Sequence, residues 1–519
     1  MNRLRMPALL AAVVLLVVMT AAQAQSPAPQ RGGTIRVGIT QEIVNLDPHL
    51  ATAFSSFQIL DLVYESLLRL NPRTLKIEPN LAQSWTVSPN GIEYTFTLRR
   101  DVTFHDGSTL DASDVKATID RILDPETKSP QASFLSAVRE VTVVSPFVVR
   151  IALRQASPSF LSLFTNPGRG IVPLNFTDKV GDARVKTLGT GPYMLAEFGP
   201  GSVRLVRYER YWRKDAADVR LPYADAVLYR VIPDAATLRA SVRAGEVDLI
   251  IGFGVDITAA RALQGVQGLR IMTVPDLTYS LVGINAGKAP FSDARVRQAM
   301  SLATDRDQIV QIVYGGRATV GGPVPPTLEE WRPVPARNLP NYRRDVARAR
   351  TLLQQAGVTL PLAVKMLPIP TVPDAVQMAQ VLKEQWAPAG LNVELEQVDF
   401  ATFLSRWRGS QFDTFVSLNG GSADPDLHLY RHIHSTGSTN VFKFKDATVD
   451  QLLDQARGTP DQVRRVQLYT QAQRAIAESV PFLFISYADL FAVARMQLNG
   501  FVLSSTRSMA PLADTWIAR

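Results

Sequence analysis

The stretch Ala224-Asp-Ala-Val-Leu-Tyr-Arg-Val-Ile-Pro-Asp-Ala-Ala-Thr-Leu-Arg-Ala-Ser-Val-Arg-Ala-Gly-Glu-Val-Asp-Leu-Ile-Ile251 sets the fold class. Val227–Ile232 is rich in β-branched residues and reads as a strand. Ala235–Ala244 reads as a helix stopped by Gly245, and Val247–Ile251 as a second strand. Strand, helix and strand in succession argue for an α/β protein with a wrapped, largely parallel sheet.

The alternation continues downstream. Val282–Asn285 reads as a strand and Ser292–Tyr314 as a capped helix ending at Gly315-Gly316. Arg343–Ala356 turns Val346, Ala349, Leu353 and Ala356 inward and closes on Gly357. Val376–Trp386 is a helix halted by Pro388-Ala389-Gly390, with strand Leu391–Leu395 after it. Asp461–Glu478 is a late helix and Phe482–Ile485 a buried strand. Upstream, Thr34–Ile39 alternates as a first strand, and Phe57–Leu70 carries apolar residues at helical spacing. Trp85–Val87 and Ile92–Leu98 flank Asn90-Gly91, a tight-turn pair. Asp111 caps a helix with Val115, Ile119 and Ile122 on one stripe, and Val141–Val144 with Val148–Leu153 forms another strand pair.

The N-terminus specifies the compartment. Arg3 and Arg5 precede an apolar run from Ala8 to Thr20, and Ala22-Gln23-Ala24 supplies small residues at cleavage spacing. These are the three regions of a secretory signal peptide, 1–24, cut after Ala24. The run is short of the roughly 20 residues of a spanning helix. A flexible leader, 25–33, follows. The chain of 519 residues contains no cysteine. That excludes disulfides, thiolate metal sites, thiol nucleophiles and a lipid anchor on cysteine, and leaves a free periplasmic protein. The net charge of +8 is dispersed. Its densest cluster, Arg343, Arg344, Arg348 and Arg350, reads as a solvated helix face, and no basic stripe interleaved with aromatics indicates nucleic acid.

Catalytic patterns are sparse. Ser113-x-x-Lys116 matches a penicillin-binding serine motif but lacks its companion motifs, so a secreted serine hydrolase using Ser113 is a distant alternative. Gly283-Ile-Asn-Ala-Gly-Lys288 has the wrong spacing for a phosphate loop. His428, His432 and His434 lie within seven residues, and the i, i+4 pair would share a helix face, as metal ligation requires. The competing reading is a polar loop with incidental histidines. Binding, with no cofactor and no bond chemistry, is the default.

A set of ordered motifs narrows this. Leu46-Asp-Pro-His49, Tyr64-Glu-Ser-Leu67, Glu78-Pro-Asn-Leu-Ala-Gln-Ser-Trp85 and Tyr94-Thr-Phe-Thr-Leu-Arg-Arg-Asp-Val-Thr-Phe-His-Asp-Gly107 are followed by Gly189-Thr-Gly-Pro-Tyr193. Tyr211-Trp212, Gly245-Glu-Val-Asp248, Pro290-Phe291, Arg295-Val-Arg-Gln-Ala299 and Asp424-Pro425 come after, in order. The mature chain resembles the family 5 solute-binding proteins, the peptide/nickel-type receptors of ABC importers. The resemblance implies a two-lobed periplasmic-binding-protein fold of the large peptide-receptor type, with an extra subdomain on the first lobe. The implied first lobe is 34–280 plus 482–519, the subdomain about 55–180, and the second lobe 281–481. It also implies hinge closure over a peptide-like or other polar small solute, delivery to a membrane permease with its ATPase, and a monomer. A nickel, metal-chelate or haem receptor of the same class is the alternative, with His428, His432 and His434 as its candidates.

In peptide-binding members an acid after a Trp-x-Gly pattern pairs with the peptide ammonium. Here Leu418 stands at the tryptophan position and Gly421 at the acid position. That departure weakens recognition of a free peptide N-terminus and leaves Asp424 as the nearby acid. Position after strands and beside the implied hinge makes Phe54, Tyr279, Asn419, Gly420, Ser422 and His428 candidate cleft residues, with Asp424 beside them.

Overall fold

The computed structural model describes residues 28–43, 45–176, 187–252 and 255–518. The proposed signal peptide and the first part of the leader lie outside the described residues.

One eleven-stranded sheet runs through the described residues. From one edge its strands are Leu391–Leu395, Leu362–Pro368, Thr414–Asn419, Leu269–Ile284, Phe482–Arg495, Leu249–Ile251, Thr34–Ile39, Ala226–Val231, Ser202–Arg207 and Tyr193–Gly199, while Ala318–Val320 pairs onto Phe482–Arg495. The quoted stretch folds as read. Thr34–Ile39 pairs in parallel with both Ala226–Val231 and Leu249–Ile251, with helix Ala235–Ala244 as the crossover. Asp234 caps that helix by accepting from the Thr237 amide, and Gly245 ends it at φ +79°.

The sheet is mixed rather than largely parallel. Leu269–Ile284 and Phe482–Arg495 form an antiparallel ladder at its centre, and the ladders to Thr414–Asn419 and Leu249–Ile251 are antiparallel too. A chain that leaves one half of the sheet and returns to it crosses twice, in opposite directions. Side by side, those crossings can only pair antiparallel. The ladder shifts register between Pro275 and Tyr279, where Pro275 lacks the N–H and Asp276–Thr278 form a bulge within the strand.

Buried apolar residues sort about this central pair. One cluster joins Ile35, Val37, Val227, Leu249, Ala492 and the helix Phe54–Val63. Two others join residues between Leu277 and Tyr487, one around Phe415, Phe442, Tyr469 and Phe484 that also takes in Leu75, the other around Met300, Met378 and Trp386. A fourth fills a four-stranded antiparallel sheet, Ala82–Val87, Glu93–Leu98, Val148–Leu153 and Val138–Ser145, covered by helix Ala112–Leu123. Asp111 and Asp114 form a reciprocal capping box at the start of that helix.

Two long helices of the sequence reading are divided. The first helix stops at Val63, and Leu68–Leu70 is extended. There Glu65 is drawn off by Trp212, Tyr211 and Thr190, and Leu67 and Leu68 enter the core of the four-stranded unit. The second splits into Ala294–Ala303 and Arg306–Tyr314, since Asp305 caps a new start. The arginines Arg343, Arg344, Arg348 and Arg350 are all exposed.

Gly189 and Gly191 seat the first helix. A Cβ at Gly189 would lie 1.9 Å from the Val63 carbonyl oxygen, and one at Gly191 2.4 Å from that of Leu62. His105 continues the lock, its Nε2 donating to the Gly191 carbonyl at 3.0 Å. The motif segment around His105 thus fixes the end of a helix whose other face borders the site.

Candidate ligand-binding site

A cavity of about 800 Å³ opens where the two halves of the sheet and the four-stranded unit meet. Its volume is that of a site for a drug-sized solute. Phe54, Phe57, Gln58, Asp61 and Tyr64 line it from the first helix. Asp276–Thr278, at the interruption of the central ladder, and Ser417, Leu418 and Gly420–Ala423 line it from the other half. Arg69, Asn71 and Arg169 come from the four-stranded unit, and Ser504–Ser508 from the C-terminal segment.

The charged groups in its mainly apolar walls are largely self-neutralised. Asp276 accepts from Arg507 Nε at 3.0 Å and forms a still closer contact with Nη2 of the same residue. Arg507 lies 5.5 Å over the Phe54 ring. Arg69 pairs with Glu78 at 3.1 Å and Arg213 with Asp514 at 3.2 Å. Glu65 accepts from Trp212 Nε1 at 2.9 Å, Tyr211 Oη at 3.0 Å and Thr190 Oγ1 at 3.1 Å, while burial holds its pKa above the ordinary value. Arg169 donates from Nη1 to Gln131 at 2.7 Å, and burial lowers its pKa to about 10. Burial likewise raises Asp61 to about 6, against donation from the Met509 amide and the Ser508 side chain.

Of the residues singled out in the sequence, Phe54, Gly420 and Ser422 border this cavity. The others lie elsewhere. Tyr279 is buried in an aromatic cluster with Phe482, Phe484 and Tyr487, and its hydroxyl meets Nδ1 of His432 at 3.3 Å. Asn419 Nδ2 donates to that hydroxyl at 3.4 Å. Asp424 makes a buried bidentate pair with Arg465, both contacts 2.8 Å. His428 Nε2 donates to the Pro323 carbonyl at 3.0 Å in the core, and burial lowers its pKa to about 4.

The histidines do not converge. His432 Nε2 accepts from Arg431 at 3.1 Å, and His434 Nδ1 accepts from the Thr436 amide at 3.1 Å while its ring stacks on Tyr430. Among the described residues no group of three His, Cys, Asp or Glu side chains is arranged to hold a metal ion. Ser113 opens a helix, and Lys116 four residues before Asp120 pairs with it at 2.7 Å rather than with the serine. Lys288 pairs with Asp413, and a Cβ on Gly283 would lie 2.1 Å from the Phe415 ring.

Gly421 has a structural reason. A Cβ there would lie 2.1 Å from the Leu277 carbonyl oxygen, whereas at Gly420 nothing lies within 4 Å. The position that could carry an ammonium-binding acid is closed by the strand interruption opposite it. Sequence reasoning missed Asp61, Arg169, Asp276, Arg507 and the serines 504 and 508. Only Asp61 left a signal, an acid on the same helical face as Phe54 and Phe57.

Residues 76–440 match the family described as bacterial extracellular solute-binding proteins, family 5 middle. The chain is 27% identical to heme-binding protein A of Haemophilus influenzae, over 85% of this chain and 84% of that one. It is 26% identical to the glutathione-binding protein GsiB of Salmonella paratyphi A, over 90% and 91%. The structure of the oligopeptide-binding protein AppA from Bacillus subtilis with a nonapeptide superposes with a TM-score of 0.81 at 25% identity, over 95% of this chain and all of that one.

Proposed function

The chain belongs to the bacterial extracellular solute-binding proteins of family 5, and on that premise we propose that it captures a peptide-like or other polar small solute outside the cytoplasm. It delivers that solute to the permease and ATPase of an ABC importer. The reading rests on one observation: a cavity of about 800 Å³ is walled on one side by helix Phe54–Val63 and on the other by Ser417–Ala423. A ligand that touches both walls binds the closed arrangement better than the open one and shifts their populations accordingly.

The two halves meet through the central pair of strands, through contacts around the cavity and through bonds such as that from Arg261 to the Gly315 carbonyl. We place the hinge at Asp276–Thr278, where the ladder lapses, rather than at residue 280. The first lobe then takes the clusters around Val37 and Leu249, the second those around Phe415 and Trp386, and the subdomain the four-stranded unit. Binding without turnover fits a cavity whose charged groups are mostly paired with one another. Export by the signal sequence places the monomer in the periplasm, and no described helix is long and apolar enough to cross a membrane.

Ligand-dependent closure is the test. Small-angle scattering and calorimetry across a panel of di- to pentapeptides, glutathione and other polar solutes should reveal at least one ligand that contracts the protein. A shape unchanged by every solute, or catalytic consumption of one, defeats the reading.

A haem or metal-chelate ligand is the second reading, favoured by the likeness to heme-binding protein A over 85% of this chain. It would use the cavity, not His428, His432 and His434. Titration with haem and with nickel–histidine decides it: a cavity ligand of this class is displaced by the solute found in the panel.

A further inference from the structure

The following rests on the solute-binding reading and names the chemistry of the ligand. Helix Phe54–Val63 offers Phe54, Phe57, Gln58 and Asp61 to the cavity, the i, i+3, i+4, i+7 spacing of a single helical face. Asp61 sits one turn beyond Phe57, and Tyr64 follows on the same wall. A carboxylate is thereby set among aromatic rings.

Asp61 differs from the other cavity acids. Asp276, Glu78 and Asp514 each have an arginine, and Glu65 has three side-chain donors. Asp61 has two neutral donors, the Met509 amide to Oδ2 at 2.9 Å and the Ser508 side chain. No cation of the described residues contributes to its titration, which burial dominates. A carboxylate can accept about four hydrogen bonds, so two directions remain open. A charge removed from water without a counter-charge is costly, and an incoming cation relieves that cost. Arg507 does not supply it. It packs over Phe54 and is held by Asp276.

The geometry assigns Asp61 as the residue that receives a cationic nitrogen of the ligand, an ammonium or guanidinium, with the rings of Phe57 and Tyr64 beside it. Carboxylate and aromatic face both attract such a cation, and both act more strongly away from bulk water. Specificity for charge then comes from the first helix, leaving the Gly420–Ser422 backbone to accommodate the rest of the solute.

The experiment titrates wild type, Asp61→Asn and Asp61→Glu with matched pairs: arginine and citrulline, free and N-acetylated dipeptides, and a diamine with its diacetyl derivative. In wild type the cationic member of at least one pair binds at least tenfold tighter. In Asp61→Asn that preference falls to within twofold, and in Asp61→Glu it is retained. The unliganded Asp61→Asn protein melts no lower than wild type, since the amide still accepts from the Met509 N–H and a half-buried charge is gone. A preference that survives in Asp61→Asn, or no preference for any cation, overturns the assignment. If neutral members bind and close the protein without cation preference, only this assignment falls. If no member binds, this assignment falls, and the solute-binding reading is decided by the wider panel above.

Discussion

Ser159 donates its hydroxyl to Oδ2 of Asp426 at 2.9 Å, joining residues 267 positions apart. Ser159 belongs to the four-stranded unit and Asp426 opens a helix of the other half, so the bond is a buried tie between the two. Asp426 keeps Arg457 Nε at 3.0 Å whether or not that bridge exists. The bridge can therefore break without stranding the carboxylate. A hydrogen bond to a charged group contributes about 1.5–3 kcal/mol. Ser159→Ala should move the closed–open balance toward open by about tenfold or more and weaken ligand binding by a similar factor. Scattering from unliganded protein checks it; an unchanged radius of gyration and unchanged affinity count against the bridge.

Gly420 and Gly421 should respond oppositely to a methyl group. Gly421→Ala places a Cβ 2.1 Å from the Leu277 carbonyl, and the strand interruption must shift to admit it. A loss of about 1–3 kcal/mol follows from such overpacking. Gly420→Ala meets open space and should leave stability within about 0.5 kcal/mol of wild type. Urea unfolding of both variants is the measurement, and equal midpoints would contradict the contrast.

The buried pair of Asp424 and Arg465 makes a third case. Both side chains are nearly inaccessible and their contacts are bidentate. Arg465→Met leaves the carboxylate buried with the Asp426 amide on Oδ1 but without its counter-charge, and should cost about 3–5 kcal/mol. The double variant Asp424→Leu with Arg465→Met should recover most of that loss. If the single variant unfolds at the same urea concentration as wild type, the pair has no structural role.

The buried histidines should lower stability on mild acidification. His49, His105 and His428 are held at about 4 by burial, and His432 moves the same way. Unfolded imidazoles take up protons below about 6.5, folded ones only near 4, so stability is full above that upper value and drains as pH descends between them. Asp61 and Asp374, raised to about 6, work in reverse over the lower part of that window, because the folded chain protonates them first. Glu65, Asp114 and Asp489 are raised by burial as well, so five carboxyls oppose the four rings and the rings' share is read by removing one of them. Melting temperatures measured from pH 7.5 to 4.5 should fall more steeply, or rise less, in wild type than in His105→Asn. Identical slopes in the two proteins would refute the histidine contribution.

Local rules carried much of the architecture. Thr34–Ile39 matches its alternation, Ala235–Ala244 ends at its glycine, and Glu93–Leu98 alternates buried and half-buried as its sequence does. What escaped was decided by distant partners. Only the end of strand Leu269–Ile284 was visible, because Pro275 and Asp276 break its pattern and its mate lies some 200 residues later. The same distance hid the site. Arg507 and Asp276 meet across 231 positions, and Met509 reaches Asp61 across 448. The histidine triplet was conspicuous in sequence, yet its rings were already engaged by Pro323, Tyr279 and Thr436.

The open space above Gly420 has a practical use. The chain lacks cysteine, so Gly420→Cys would provide one unique handle for a solvatochromic dye. Attached at the rim, the fluorophore would pass from water to a sheltered setting as the jaws meet. The molecule would then report its own cargo optically, letting unidentified nutrients be screened by colour or brightness instead of by affinity.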